Sequence, residues 1–265
     1  MDEVLVVRCG LVPYADARRA QKTLEAARHA GDVPDVLLLL EHPPVYTKGR
    51  RTEPSELPMG EDWYRMQGIE VAETDRGGRV TYHGPGQLVA YPIVALKDLA
   101  NRDTPASGKS RMTGRPSGSL EGEEVARIDV GDYIRRMERV MIAALGDWGV
   151  GAQTIEGLTG VWTDGEPPPL GEARKIGSIG IHVNRGITTH GLAINVNNDL
   201  QPFEWIVPCG IEAVRMSSLG RELGAEQDLD AFANTLAGRF GEVYERRPIQ
   251  RSPDEVIGSL ALEPA

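Results

Sequence analysis

Cys209 and Lys175 have the residue types and settings that covalent catalysis uses. Cys209 stands between Pro208 and Gly210 in a segment without helical or strand periodicity, where a constrained turn can expose its thiol. Lys175 is one of five lysines in an arginine-rich chain, and a partly buried lysine, unlike arginine, can donate and accept a proton. Each residue also has a plainer interpretation, because most cysteines are small buried hydrophobes and most lysines are surface charges.

A glycine-rich stretch at residues 76–91 has the composition of a substrate cradle. It holds four glycines, a proline, two arginines and a histidine, and it runs into an apolar segment at 87–94 that reads as a buried strand. Glycine lets backbone N–H groups approach a ligand closely. The stretch therefore predicts a binding loop, although a turn that joins two strands would explain an isolated glycine pair as simply.

Four further side chains are candidates for supporting roles. His83, inside the glycine-rich stretch, either relays a proton or binds an oxyanion, or it holds the loop through a backbone hydrogen bond. We expect His42 to position a loop and His190 to lie near the substrate. Arg76 either holds the loop or binds a phosphate.

The whole stretch resembles the signature of the lipoate-protein ligase B family, the octanoyltransferases of lipoate synthesis. The shared pattern is Arg-Gly-Gly, two variable residues, Thr, an aromatic residue, His-Gly, one variable residue, and Gly-Gln, at residues 76–87. Other segments similar to the family follow in the family's order, at residues 39–50, 175–180, 190–196 and 208–210. The resemblance therefore covers most of the chain.

This resemblance implies a reaction and its participants. Cys209 would be the nucleophile that takes the octanoyl group as a thioester, and Lys175 would favour the thiolate and act as general acid and base. The implied donor is acyl carrier protein; the implied acceptors are lysines of lipoyl domains in 2-oxoacid dehydrogenase complexes and of the glycine cleavage H protein. Because a thioester is already activated, we expect no cofactor, ATP or metal.

The resemblance also implies which residues bind the substrate. The expected binding residues are Arg76, Gly77, Gly78, Arg79, Val80, Thr81, Tyr82, His83, Ser178, Ile179, Gly180, Gly191, Leu192 and Ala193. Backbone N–H groups at 77–78 or 178–180 are expected to stabilise the oxyanion. Arginines and lysines at 48–51, at 76–79 and at Arg174 are expected to border the cradle and attract an acidic carrier protein.

Two other functions remain possible on the same residues. An ATP-dependent lipoate or biotin protein ligase would not need Cys209, and its glycine loop would hold an adenylate. A non-catalytic relative would only bind lipoyl domains and would need neither Cys209 nor Lys175. The cysteine and the loop sequence from His83 to Gln87 favour acyl transfer.

Composition limits the other classes of function. The chain has 265 residues, 40% of them hydrophobic, and a formal net charge of −10, which argues against general affinity for nucleic acid. We expect no membrane segment, because no apolar run approaches the roughly 20 residues that a membrane helix needs. Residues 1–7 have no basic region of a secretory signal, and two cysteines cannot form a disulfide framework. These features predict a protein of the reducing cytoplasm.

Hydrophobic periodicity predicts the elements that position these groups. It indicates helices at 13–31, at 129–148 with Asp129 as the cap, and at 228–244. It indicates strands at 36–41, 71–73 and 87–94, and a hairpin at 179–183 and 187–196 that turns at 184–186. Strands and helices without strict alternation predict an α+β fold.

One domain is expected to span residues 1–265. The resemblance implies the catalytic fold shared by biotin ligases and lipoate ligases, a mixed sheet with helices packed on one side. Residues 101–124 interrupt the resemblance and are rich in Gly, Ser, Pro and Arg. Such a segment buries too little apolar surface to offset its ordering entropy, which predicts a disordered insertion.

Overall fold

The computed structural model describes residues 2–99, 130–168, 170–207 and 214–258. The predicted insertion at 101–124, the predicted cap Asp129 and the predicted nucleophile Cys209 lie outside these residues. The strands are β1 (Asp2–Leu11), β2 (Asp35–Glu41), β3 (Val45–Lys48), β4 (Glu70–Glu73), β5 (Thr81–His83), β6 (Gln87–Ile93), β7 (Ala152–Ile155), β8 (Leu158–Thr163), β9 (Lys175–Asn184), β10 (Ile187–Asn195) and β11 (Arg246–Arg251).

Helices connect and cover these strands. The α-helices are α1 (Tyr14–Ala30), α2 (Glu61–Met66), α3 (Val130–Asp147), α4 (Leu219–Leu223) and α5 (Leu229–Tyr244), with short 3₁₀ turns at Pro54–Glu56, Leu96–Asp98 and Gln201–Trp205 and a π turn at Asp254–Gly258. Asp228 caps α5 by accepting a hydrogen bond from the Ala231 N–H. None of the helices in the described ranges is long and apolar enough to cross a membrane.

Within the described residues, eight strands form one mixed sheet in the order β11-β1-β2-β6-β10-β9-β8-β7. The strand β1 runs parallel to both β2 and β11, and the other neighbours are antiparallel. The predicted hairpin is the β9–β10 pair, whose strands turn between Asn184 and Ile187. A smaller sheet, in the order β4-β3-β5, leads into and out of the glycine-rich loop.

Helices cover both faces of the large sheet, so the expectation of helices on one side was wrong. Val36 and Leu38 of β2 pack with Ala17 and Leu24 of α1, whereas Leu37 packs with α3 and α5 on the opposite face. The apolar run of β2 explains this arrangement, since a strand that is hydrophobic at successive positions must be buried on both faces.

Aromatic rings support the small sheet beneath the glycine-rich loop. The Tyr46 ring of β3 contacts the rings of Tyr64 and Tyr82, with centroids 4.9 and 5.6 Å away. The Tyr46 hydroxyl donates to the Pro202 carbonyl at 2.6 Å. This packing ties the small sheet to the segment that precedes residue 208.

Candidate active site

A cavity of about 440 Å³ lies between the glycine-rich loop, the β9–β10 hairpin, β8 and the start of α3. The residues that line it are Tyr14, Arg51, Arg76, Gly77, Gly78, Arg79, Thr81, His83, Tyr91, Val130, Ile134, Gly157, Leu158, Thr159, Lys175, Ser178, Ile179, Gly180, Ile181, His190, Gly191, Leu192 and Ala193. Most of the predicted binding residues are among them. Val80 and Tyr82 instead pack into the aromatic cluster under the small sheet.

Arg76 holds the glycine-rich loop in place. Its buried guanidinium donates to the Thr47 carbonyl at 2.5 Å and to the Thr47 hydroxyl at 2.8 Å, and also to the carbonyl of Gly77 at 3.1 Å. The sequence left two roles open for Arg76, holding the loop or binding a phosphate, and these contacts support the first. The loop leaves no room for side chains nearby, because a Cβ at Gly49 would lie 2.5 Å from the Gly78 carbonyl oxygen.

The backbone of the same loop borders β9. The Gly77 N–H donates to the Ile181 carbonyl at 2.8 Å. This donor is therefore already used by the protein, which removes Gly77 from the N–H groups expected to stabilise an oxyanion. The loop covers the part of β9 that follows its pairing with β8 at Lys175 and Gly177.

Lys175 is the first residue of β9 and is buried, with 2% of its surface exposed. Its ammonium donates to the Thr159 carbonyl at 3.0 Å and lies 5.4 Å from the centre of the Trp162 ring. Such a ring attracts a cation through its negative face. Lys175 thus occupies a defined position in the cavity wall.

Cys209 lies outside the described residues, and its pairing with Lys175 stays a prediction. The described segments on each side of it are hydrogen-bonded to residues in or next to the cavity wall. Before it, the Val207 N–H donates to the Glu56 carbonyl at 3.0 Å, and the Glu56 carboxylate is ion-paired with Arg79 of the cavity wall. After it, the Lys175 N–H donates to the Arg215 carbonyl at 2.8 Å.

The other cysteine has the properties of an inert thiol. Cys9 lies in β1, is half-buried and packs beside the cluster that contains α1. Burial raises the pKa of its thiol to about 11. A raised pKa disfavours the thiolate, the form that attacks a carbonyl. Cys9 therefore matches its predicted packing role.

His83 is held by a chain of buried amides. Its Nδ1 lies 2.6 Å from Gln87 Oε1, while the Gln87 amide nitrogen donates to Asn195 Oδ1 at 2.9 Å and to the Tyr82 carbonyl at 3.2 Å. Because the Gln87 nitrogen faces two acceptors, its oxygen must accept from His83 Nδ1–H. Burial and the neighbouring His42 lower the pKa of His83 well below its ordinary value. A neutral His83 therefore keeps Nε2 as its acceptor.

His42 supports the wall behind His83. Its Nδ1 donates to the Val12 carbonyl at 2.7 Å, and its Nε2 accepts from the Tyr91 hydroxyl at 2.8 Å. Burial lowers the pKa of His42 to about 4. The His42 and His83 ring centres are 5.6 Å apart. His42 thus positions β6 and the chain after β1, in line with its predicted structural role.

A charged cluster beside His190 was not found by sequence reasoning. Asp75 Oδ1 lies 2.7 Å from His190 Nε2 and is ion-paired with Arg18 of α1, whose guanidinium lies 2.6 Å from the same Nε2. These hydrogen bonds, the one from His190 foremost, hold the pKa of Asp75 well below its usual range. Burial lowers the pKa of His190 itself. His190 also has a φ of 58°, which turns its side chain towards α1 and the N–H towards Gln21, 2.6 Å away.

Three of the arginines and lysines that were expected to border the cavity are ion-paired with carboxylates. Lys48 is ion-paired with Glu61 and Glu73. Arg79 pairs with Glu53 and Glu56, and Arg174 pairs with Glu222. Within the described residues neither Arg50 nor Arg51 forms an ion pair, and Arg51 lines the cavity.

Comparisons with known proteins agree on one family. The family model of the lipoyl protein ligase A/B catalytic domain matches residues 13–107 and 119–241. An octanoyltransferase of Acidobacterium capsulatum is 38% identical over 259 residues, which cover 97% of this chain and 96% of the relative. An octanoyltransferase of Mycobacterium sp. (strain KMS) is 41% identical over 244 residues, which cover 92% of this chain and 87% of the relative.

Solved structures show the fold. A bi-partite lipoate protein ligase of Thermoplasma acidophilum superposes with a TM-score of 0.68 at 17% identity, covering 99% of this chain and 92% of that one. A lipoate-protein ligase A bound with ATP gives 0.64 at 18% identity, with coverage of 99% and 94%. The α+β fold described above, a mixed sheet with packed helices, is thus the catalytic fold of lipoate protein ligases.

Proposed function

The chain belongs to the lipoyl protein ligase A/B catalytic family, and we propose that it moves an octanoyl group from acyl carrier protein to lysines of lipoyl domains through a thioester on Cys209. Octanoyl transfer in lipoate biosynthesis is the activity of its relatives at 38% to 41% identity, and it is the activity of this chain. The donor, the thioester intermediate and the roles of single residues are the finer part of the proposal.

The observation that carries the finer proposal is the position of Lys175. A buried ammonium in the wall of a cavity favours a nearby thiolate and can exchange a proton with a reacting group. The chain on both sides of residues 208–213 is hydrogen-bonded to the surroundings of the same cavity. A volume of about 440 Å³ is within the range of roughly 300–1,000 Å³ typical of small-molecule sites.

The proposed reaction has two balanced steps. In the first, the Cys209 thiolate attacks the donor thioester carbonyl, the bond to the phosphopantetheine sulfur breaks, and Lys175 gives that leaving thiolate a proton. In the second, a lipoyl-domain lysine in its amine form attacks the acyl-cysteine. The Cys209 thiolate leaves, Lys175 takes the proton from the new amide nitrogen, and the enzyme returns to its starting state.

His83 is proposed as an acceptor in the cavity. Its Nδ1–H is fixed on Gln87, so its Nε2 can accept a hydrogen bond from substrate or from the incoming amine. The binding residues that line the cavity are proposed to hold the acyl chain, with Leu192 and Ile179 as apolar surface and the glycine-rich loop as the polar one.

The alternative is an ATP-dependent ligase on the same fold. The structural neighbours include a ligase bound with ATP, but at 18% identity that likeness reports the fold alone. The octanoyltransferases are more than twice as similar in sequence and span most of the chain. Transfer from a thioester is therefore better supported than activation of a free acid.

Intact-mass spectrometry tests the proposal. The purified chain is incubated with octanoyl acyl carrier protein in the absence of ATP, and a mass gain of one octanoyl group that disappears on adding an unmodified lipoyl domain is expected. A ligase would instead modify the lipoyl domain only with free octanoate and ATP. Transfer without any acyl-enzyme under single-turnover conditions would contradict the thioester step. We further propose that residues 1–265 act as one catalytic domain in the cytoplasm.

A further inference from the structure

We propose that Glu138 of α3 is a positioning residue for Lys175, and that it acts through the peptide group between Thr159 and Gly160. This inference rests on the proposed catalytic role of Lys175. In this proposal Glu138 does not contact the substrate. It fixes a carbonyl group that accepts a hydrogen bond from the Lys175 ammonium.

A single peptide group makes both hydrogen bonds. The Gly160 N–H donates to Glu138 Oε1 at 3.1 Å, and the Thr159 carbonyl, which belongs to the same peptide, accepts from Lys175 Nζ at 3.0 Å. In a trans peptide the N–H and C=O point in opposite directions. Glu138 and Lys175 are therefore connected through one peptide group near the start of β8.

Glu138 is a buried carboxyl group whose hydrogen bond needs a structural explanation. Only 8% of its surface is exposed, and its helix neighbours Met137 and Met141 are fully buried in the main core. A carboxyl group in such surroundings is costly unless it is hydrogen-bonded. Its partner here is the Gly160 N–H, and the carbonyl of the same peptide accepts a hydrogen bond from Lys175.

Gly160 shows how tightly this peptide is fitted. Its φ is 112°, a conformation that side chains disfavour, and a Cβ would lie 2.5 Å from the Gly177 carbonyl oxygen and 3.0 Å from Lys175 Cε. The β8–β9 register also shifts at Val161 and Trp162. Among the described strand pairs, neither Thr159 nor Gly160 has a partner in the β7–β8 or β8–β9 register. The hydrogen bond from the Gly160 N–H to Glu138 therefore helps to fix the direction of this peptide.

Hydrogen bonds on both sides of one peptide strengthen each other, because a donor bound to an acceptor polarises the group. Loss of Glu138 would both free the peptide to rotate and weaken the acceptor of Lys175. Misplacement of a catalytic group by about 1 Å can cost on the order of 100-fold in rate. The expected defect is therefore in turnover, with little change in substrate binding.

The test compares Glu138→Ala and Glu138→Gln with Val140→Ala, a core substitution on the same helix that removes no hydrogen bond to the Thr159–Gly160 peptide. We expect Glu138→Ala to lower kcat for octanoyl transfer by about 10-fold to 100-fold with the donor KM nearly unchanged. Glu138→Gln keeps an oxygen acceptor and should stay within about threefold of the parent. Val140→Ala should lower the Tm comparably and leave kcat unchanged.

A second measurement does not depend on activity. Labelling by an amine-reactive reagent, followed by peptide mass spectrometry under conditions where all variants are folded, reports how firmly Lys175 is held. Faster labelling of Lys175 in Glu138→Ala than in Val140→Ala or Glu138→Gln is expected. Equal labelling and equal kcat in the two alanine variants would overturn the proposal. A parent protein that transfers no octanoyl group would instead refute the proposed function, while the labelling still tests Glu138.

Discussion

Lys175 and Met216 form a parallel β-bridge, in which the Lys175 N–H donates to the Arg215 carbonyl at 2.8 Å and the Lys175 carbonyl accepts from the Ser217 N–H at 2.9 Å. The strand that carries the lysine is thus fastened to the chain seven residues after Cys209 in sequence. A backbone connection of this kind limits how far the two segments can separate. It is the structural basis for testing Cys209 and Lys175 as a pair.

The first prediction concerns the nucleophile. Cys209→Ser should lower octanoyl transfer by more than about 100-fold, because a serine hydroxyl is a far weaker nucleophile than a thiolate near neutral pH. The matched control is Cys9→Ser, since the Cys9 thiol is half-buried and its pKa is raised to about 11. Transfer rates are measured from octanoyl acyl carrier protein to a lipoyl domain. Substantial turnover by the Cys209 variant would remove the covalent mechanism.

The second prediction separates charge from proton transfer at Lys175. Lys175→Arg should be nearly as inactive as Lys175→Ala, with a loss of about 100-fold or more, because arginine keeps its proton at any working pH. The larger guanidinium must also fit beside Gly160 and Trp162.

Lys97→Arg is the control for this substitution, since Lys97 is exposed and should tolerate the change. The same transfer assay is used, with donor saturation checked for each variant. Near-parental turnover by Lys175→Arg would leave electrostatic stabilisation of the thiolate as the only role of the lysine.

The third prediction concerns acid stability through His42. Burial lowers the pKa of His42 from 6.5 to about 4. Between these two pH values His42 is therefore neutral in the folded state and protonated in the unfolded chain. The unfolded state then binds more protons between pH 6.5 and pH 4, and stability must fall with decreasing pH across that window. One such proton contributes a slope of about 1.4 kcal/mol per pH unit.

Urea unfolding followed by circular dichroism between pH 7 and pH 4.5 measures this slope. His42→Gln should be less stable than the parent at pH 7 but should show a shallower decline on acidification. His29→Gln, at an exposed position, should keep the parental slope. Parallel curves for His42→Gln and the parent would show that another group causes the acid sensitivity; His83 and His190, whose pKa values are also lowered, are the next to examine.

Local chemistry made much of the fold predictable. The turn after Asn184 contains Arg185 and Gly186, both with positive φ, and the alternating strands on either side form the expected hairpin. Gly31 ends α1 in the left-handed conformation, as its position after the helical pattern predicts. Such signals lie within a few residues of the structure they specify, so a single sequence contains them.

The remaining features depend on contacts between distant parts of the chain. Arg18 and Asp75 are 57 residues apart, and Glu138 meets Gly160 across 22 residues. Neither pair has a local pattern, because packing of α1 and α3 against the sheet brings them together. The helices on opposite faces, by contrast, could have been expected from the continuous apolar run of β2, which must be buried on both sides. For Arg18, one sequence signal could have indicated its role. It follows Tyr14 by four residues and so lies on the buried face of α1.

The last prediction concerns docking of the acidic donor. The chain has a net charge of −10, so attraction of an acidic carrier protein requires a local positive surface. Arg51, which lines the cavity, and its exposed neighbour Arg50 meet this requirement, because Lys48, Arg79 and Arg174 are neutralised by carboxylates and Arg76 is buried. The double substitution Arg50→Glu and Arg51→Glu should raise the KM for octanoyl acyl carrier protein about tenfold at low salt.

The matched control reverses Arg247 and Arg251 on β11, the edge strand of the large sheet at the end opposite β7. Both double variants change the net charge equally, so a general charge effect would appear in both. Only the Arg50 and Arg51 variant should lose salt dependence of the carrier KM. Transfer from a small octanoyl thioester should be unchanged in the control and much less affected than transfer from the carrier in the first variant, since neither pair holds Lys175. An unchanged carrier KM at low salt in the first variant would place the docking surface elsewhere.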